Sequence, residues 1–157
     1  MSQRDDATGE IPLPPHVYIP GKTSRHPDDW FDSIKASVDP GIPAEKLHMT
    51  QAFIAGRVYF EAGYFWECHE VLEAVWMQAP DPGPERDFIQ AMIQLANARL
   101  KLLMGRPRAT LRLCEMVEAR MSGYAVDQVI LGIRTKVLIA GADQTKMEAM
   151  RHYNSYI

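Results

Sequence analysis

Four interruptions in the middle of the chain most constrain its fold: Gly63, the PDPGP run at residues 80–84, Gly105 with Pro107 two residues on, and Gly123. The stretches between them are each about one helix long, and proline just inside a helix start with glycine just past its end is the usual punctuation of helices. AEKLHMTQAFIAGRVYFEAG therefore predicts a helix opening after Pro43 and closing at Gly63. Tyr64 to about Ala79, Glu85 to Met104, and Pro107 to about Met121 or Ser122 predict three more. WFDSIKASV is a short amphipathic candidate ahead of them, and Asp143 to about His152 is a last one with an aspartate at its start. Between them DQVILGIRTKVLIAG is apolar and β-branched, so its pattern leaves helix and strand open, with Asp127 as an N-cap favouring helix.

Residues 11–29, IPLPPHVYIPGKTSRHPDD, hold five of the eleven prolines, and proline removes an amide donor and biases its predecessor toward extended backbone. This segment reads as an arm. His16, Val17, Tyr18 and Ile19 would be out of place in a solvated tail and predict that it lies across the body; a loose terminus is the other reading. The expected architecture is all-α: an extended proline-rich N-terminal arm over residues 1–29, then one compact helical bundle of about five to six helices over residues 30–157.

Seventeen Lys+Arg against twenty Asp+Glu leave a net charge of -3, too balanced for a polyanion-binding protein on composition alone. Cys68 and Cys114 fit no paired metal or redox spacing, the opening MSQRDDATGE is polar where a signal peptide has an apolar run, and nothing approaches a membrane span. The expectation is a soluble cytoplasmic protein with reduced thiols, without membrane or nucleic-acid partners, for which a homo-oligomer is compatible.

Chemistry concentrates in FWECHEVLEAVW, residues 65–76. At about 100° per residue, Tyr64, Phe65, Cys68, Val71, Leu72 and Val75 gather into an apolar face; Glu70 and Glu73 lie opposite, with His69 at one border and Glu67 at the other. Trp66 and Met77 fall inside the polar sector and predict an apolar cover there, which would draw the carboxylates partly out of water and demand donors. The next helix offers Arg86, Gln90, Gln94, Asn97 and Lys101, spaced by four, four, three and four along one stripe. An antiparallel hairpin would set that stripe against the glutamates as a polar seam.

As a site, the seam would read a small molecule through Glu67, Trp76, Arg86, Gln90, Gln94 and Asn97. His69, Glu70 and Glu73 would be the catalytic candidates: a carboxylate orients His69, which acts as acid or base near neutral pH. His69 and Glu73, four apart, also have the spacing of two metal ligands on a helix, so a divalent metal is the one cofactor in view, though amides complete such a set poorly. As a structural element, the same seam is a closed network that fixes helix packing. Whether the chain is an enzyme stays open; the reaction in view is hydrolysis.

Weaker signals are read blandly. Arg99, Lys101, Arg106, Arg108 and Arg112 form a basic turn, taken as a salt-bridged surface rather than an RNA or phosphate contact because no aromatic interleaves with it. His26 is taken as an exposed loop histidine, the other reading being an arm that folds back to bring it to the seam. Met92, Met104, Met116 and Met121 are assigned to core gaps.

GYFWECHEVLEAVW followed by ERDFIQAMIQLANARLKLLMG resembles an all-helical family, domain of unknown function family 309, marked by E-A-H-E-x-x-E-x-x-W and a downstream F-x-Q-x-x-I-Q-L-A helix. Glu67, His69, Glu70, Glu73 and Trp76 match the first motif, and Phe88, Gln90, Ile93, Gln94, Leu95 and Ala96 the second. Cys68 stands where alanine is usual and Ala91 where glycine is common. The resemblance implies a helical bundle in which the two motif helices pack together, and implies no activity.

Overall fold

The computed structural model describes residues 11–154, with side chains through residue 152. The described residues form six α-helices: α1 (Asp32–Lys35), α2 (Gln51–Glu61), α3 (Phe65–Gln78), α4 (Pro84–Leu103), α5 (Pro107–Met121) and α6 (Thr135–Asn154). A 3₁₀-helix (Ala44–Met49) precedes α2, and two short strands, β1 (Val129–Ile130) and β2 (Ile133–Arg134), precede α6. The all-α bundle is as expected. No described helix is long and apolar enough to cross a membrane.

Local chemistry sets the boundaries. Thr50 accepts the Phe53 N–H at 3.2 Å and so divides the single helix expected after Pro43 into the 3₁₀ turn and α2. Gly63 and Gly105 take positive φ of 86° and 74°, where a Cβ would be strained. The residue after each closes the helix with a six-to-one bond, Tyr64 N–H to Tyr59 O at 2.8 Å and Arg106 N–H to Lys101 O at 2.9 Å. Pro84 and Pro107 open α4 and α5 at the position where a missing N–H is harmless.

The central helix α4 is packed by α3, α5 and α6, and α2 lies on α3. Phe53, Tyr59, Leu72, Phe88 and Val117 are among the side chains buried in the core. Of the methionines assigned to core gaps, Met92 and Met121 are buried, whereas Met116 is 42% exposed on the outer face of α5.

The segment after Gly123 resolves into both alternatives. β1 and β2 pair antiparallel, Val129 with Arg134 and Ile130 with Ile133, around Leu131 and Gly132 at φ of 53° and 79°, a turn with two left-handed residues that suits a two-residue hairpin. Asp127 lies in the turn before β1 rather than capping a helix. The last helix starts at Thr135, eight residues before the position expected from Asp143. The reason is tertiary: Leu138 and Ala142 are buried, and Gly141 lets Leu95 of α4 approach where a Cβ would meet Leu95 Cδ2 at 2.9 Å.

Asp87, in the first turn of α4, accepts the Tyr124 hydroxyl at 2.6 Å and Arg120 Nη1 at 3.4 Å, tying the end of α5 to the start of α4. That hydrogen bond, with burial second, pushes the Tyr124 phenol from 10.0 up to about 12. A raised folded-state value means the bond's contribution is intact below pH 10 and drains away as pH climbs through the folded value. Because the site is partly exposed, Tyr124→Phe is expected to cost about 1 kcal/mol at neutral pH. Urea unfolding of both proteins at pH 7 and above pH 10 checks this: the gap between them should narrow in alkali.

Candidate functional site

The costliest residue of the motif helix is answered by the arm. Glu67 is fully buried on α3, and its Oε2 accepts the Tyr18 backbone N–H and the His26 Nε2–H, each at 2.7 Å. His26 is 4% exposed, so the reading of an exposed loop histidine is corrected. The arm folds back, as the other reading allowed, but it meets Glu67 and not a seam between helices. Further ties hold it along its length: Tyr59 and Tyr64 donate to Pro12 O and Pro14 O at 3.2 and 3.3 Å, and Lys22 donates to Leu103 O at 2.9 Å. Glu67 Oε1 and His26 Nδ1 find no protein partner among the described residues.

Trp66 explains why the arm sits there. Its ring meets Tyr18 edge-on at 4.9 Å, Phe31 at 6.1 Å and His26 at 6.3 Å, with the Arg25 guanidinium 5.4 Å above it. The apolar cover predicted over Trp66 is therefore real, and it is the arm with α1. The same expectation fails at Met77, which is 68% exposed. Burial, and then the charge of Glu67, push the Tyr59 phenol and the Cys68 thiol upward, so Cys68 stays neutral and is no nucleophile for its neighbour His69.

The other border of α3 is accessible. His69 Nε2–H donates to Glu73 Oε2 at 2.9 Å, with side-chain exposures of 25% and 52%. Glu70 adds a third ligand atom, all three lying within 4.8 Å of one another, but its Oε1 already holds the Lys35 ammonium at 3.0 Å. Trp76 continues the His69–Glu73 line one turn further. Arg86 stacks on its ring at 3.8 Å and donates to Trp76 O and Ala79 O, closing the C-terminal carbonyls of α3. The Trp76 indole N–H is buried without a partner among the described residues.

The predicted seam does not form. Among the described residues, no hydrogen bond or ion pair joins Gln90, Gln94, Asn97 or Lys101 to Glu67, His69, Glu70 or Glu73; Arg86 alone of the stripe reaches α3, through Trp76. The reason is that α3 buries Cys68, Val71, Leu72 and Val75 while α4 buries Phe88, Ile89, Met92 and Leu95, and packing those faces turns Gln90, Asn97 and Lys101 to the half-exposed side. Gln94 is drawn inward and leaves its Oε1 unpaired among the described residues. In the basic turn, Arg99 is held by Glu148 at 2.7 Å, in keeping with a salt-bridged surface.

Fold and site together define an all-helical bundle whose motif helix carries a buried Glu–His latch to an N-terminal arm on one border and a half-exposed His–Glu pair on the other. A family model, Domain of unknown function (DUF309), matches residues 53–113, and it is the family that the two motifs resemble. The matched span holds Glu67, His69, Glu73 and Trp76 but not His26 or the rest of the arm. Compared with curated proteins and with solved structures, the chain gives no match.

Proposed function

We propose that the chain is a small-ligand-binding helical protein in which His69 and Glu73 meet the ligand. The observation carrying this reading is their combination of order and access: the pair is set at 2.9 Å yet open to solvent, whereas Glu67 is enclosed by the arm and Glu70 is held by Lys35. With Nε2–H given to Glu73, Nδ1 of His69 is the basic nitrogen, able to take a proton or bind a cation. Glu73 would stabilise the imidazolium that proton transfer creates, the arrangement a general base in hydrolysis needs. Glu70 would complete a divalent-cation site through the carboxylate oxygen that Lys35 does not hold, or by releasing Lys35.

Calorimetric titration of Zn²⁺ and Mn²⁺ into chelator-free protein, beside elemental analysis of the protein as purified, tests the coordinating form. One ion bound per chain by wild type and lost in a His69→Ala, Glu73→Ala variant supports it. Absence of binding in both sinks it. Stability separates a site from a strut: an exposed i,i+4 pair contributes about 0.3–0.5 kcal/mol, so the double variant should unfold within about 1 kcal/mol of wild type.

The buried Glu67–His26 contact favours a second reading for its own half of the motif, in which that glutamate serves folding and not chemistry.

A further inference from the structure

Away from the motif pair, a cavity of about 410 Å³ opens between α2 and α6. Cys68, Met92, Leu95 and Leu138 form its floor, all of them buried apolar groups. Burial and the nearby Glu67 keep the Cys68 thiol protonated, so the floor carries no charge. Polar groups stand only at the rim: Arg57 and Glu61 on α2 and Gln144 on α6. A second hollow of about 520 Å³ adjoins it, sharing Phe60, Glu61, Gly141 and Gln144. An apolar pocket of this size with a few polar groups converging at its mouth is the usual form of a small-molecule site.

The rim decides the head group. Arg57 is exposed and makes no ion pair among the described residues, although Glu61 lies one turn along the same helix. Its guanidinium is a planar fork matched to a carboxylate, and the Gln144 amide offers a further donor from the facing helix. Glu61 is the one carboxylate among the residues lining the cavity. We propose that this cavity binds a medium-chain carboxylate, with the hydrocarbon tail on the Cys68–Leu95 floor and the head group held by Arg57 and Gln144. The site is separate from the His69–Glu73 pair and does not depend on its role.

Isothermal titration of decanoate into the full chain, below the micellar range, tests the assignment, with decanol and decylamine as probes of the head group. Saturable one-to-one binding of decanoate is expected. Arg57→Gln should weaken it roughly tenfold, the loss of one charge-assisted contact, and leave decanol unchanged. Val137→Trp should remove binding of both, because Val137 lines the mouth and is 54% exposed, so a larger side chain there blocks entry without entering the core. The His69→Ala, Glu73→Ala variant should bind decanoate as wild type does. No saturable decanoate heat, tighter binding of decylamine, or full affinity in a Val137→Trp protein of unchanged melting temperature would each overturn the proposal.

Discussion

Glu67→Ala is expected to destabilise the protein by about 3–5 kcal/mol, the usual loss when one member of a buried ionisable pair is removed and the other is left without its partner. Three effects converge. His26 Nε2 and the Tyr18 N–H lose the oxygen that both reach at 2.7 Å, and the vacated volume is closed to solvent because Glu67 is fully buried. Glu67→Gln keeps the volume and one acceptor and should lose less. His26→Ala in combination with Glu67→Ala should cost well under the sum of the two, because each single change already breaks the same contact. Two measurements check the argument: urea unfolding for the free energy, and tryptic cleavage at the exposed Lys22 and Arg25 for the position of the arm. A variant within 1 kcal/mol of wild type, cut at the wild-type rate, would show that Glu67 does not hold the arm.

This latch marks the limit of what the sequence discloses. The helices were legible because their ends are written in residue types with fixed backbone consequences: Gly63 and Gly105 in the left-handed region, Pro84 and Pro107 at helix starts. Trp66 in a polar sector signalled a cover, and Val17, Tyr18 and Ile19 signalled an arm seeking a surface; joining the two observations would have placed the arm on α3. The partner of Glu67 was misassigned because the Arg86–Lys101 stripe has perfect helical spacing, and spacing alone does not say which neighbour a stripe faces. Core packing between α3 and α4 decides that. The start of α6 was hidden for a similar reason: Gly141 resembles a break in sequence but serves close contact with Leu95 in space. The His69–Glu73 pair was legible because it is local, four residues apart on one helix.

Gly56→Ala offers a contest between local and tertiary preference, and the tertiary side is expected to win. Gly56 lies in the middle of α2, where alanine is better than glycine by about 1 kcal/mol. A Cβ added there would stand 2.5 Å from Leu72 Cδ2 and 2.7 Å from Leu72 Cγ, closer than any packed pair of carbons. Leu72 is fully buried on α3, so its side chain has no solvent to swing into and the two helices must separate or the rotamer must strain. Overpacking of this kind costs about 1–3 kcal/mol, and a value toward the upper end is expected here because the clash reaches Cγ and not only a methyl. Leu72→Ala alone leaves a cavity and should cost about 2–5 kcal/mol. Combining the two puts the new methyl into the space the leucine left, so the double variant should be more stable than Leu72→Ala by about the helix preference of alanine, reversing the sign of the Gly56 substitution. Denaturant unfolding of the four proteins measures this directly. If Gly56→Ala stabilises the wild-type background as well, α2 and α3 are not held together at the separation that the Gly56–Leu72 contact defines.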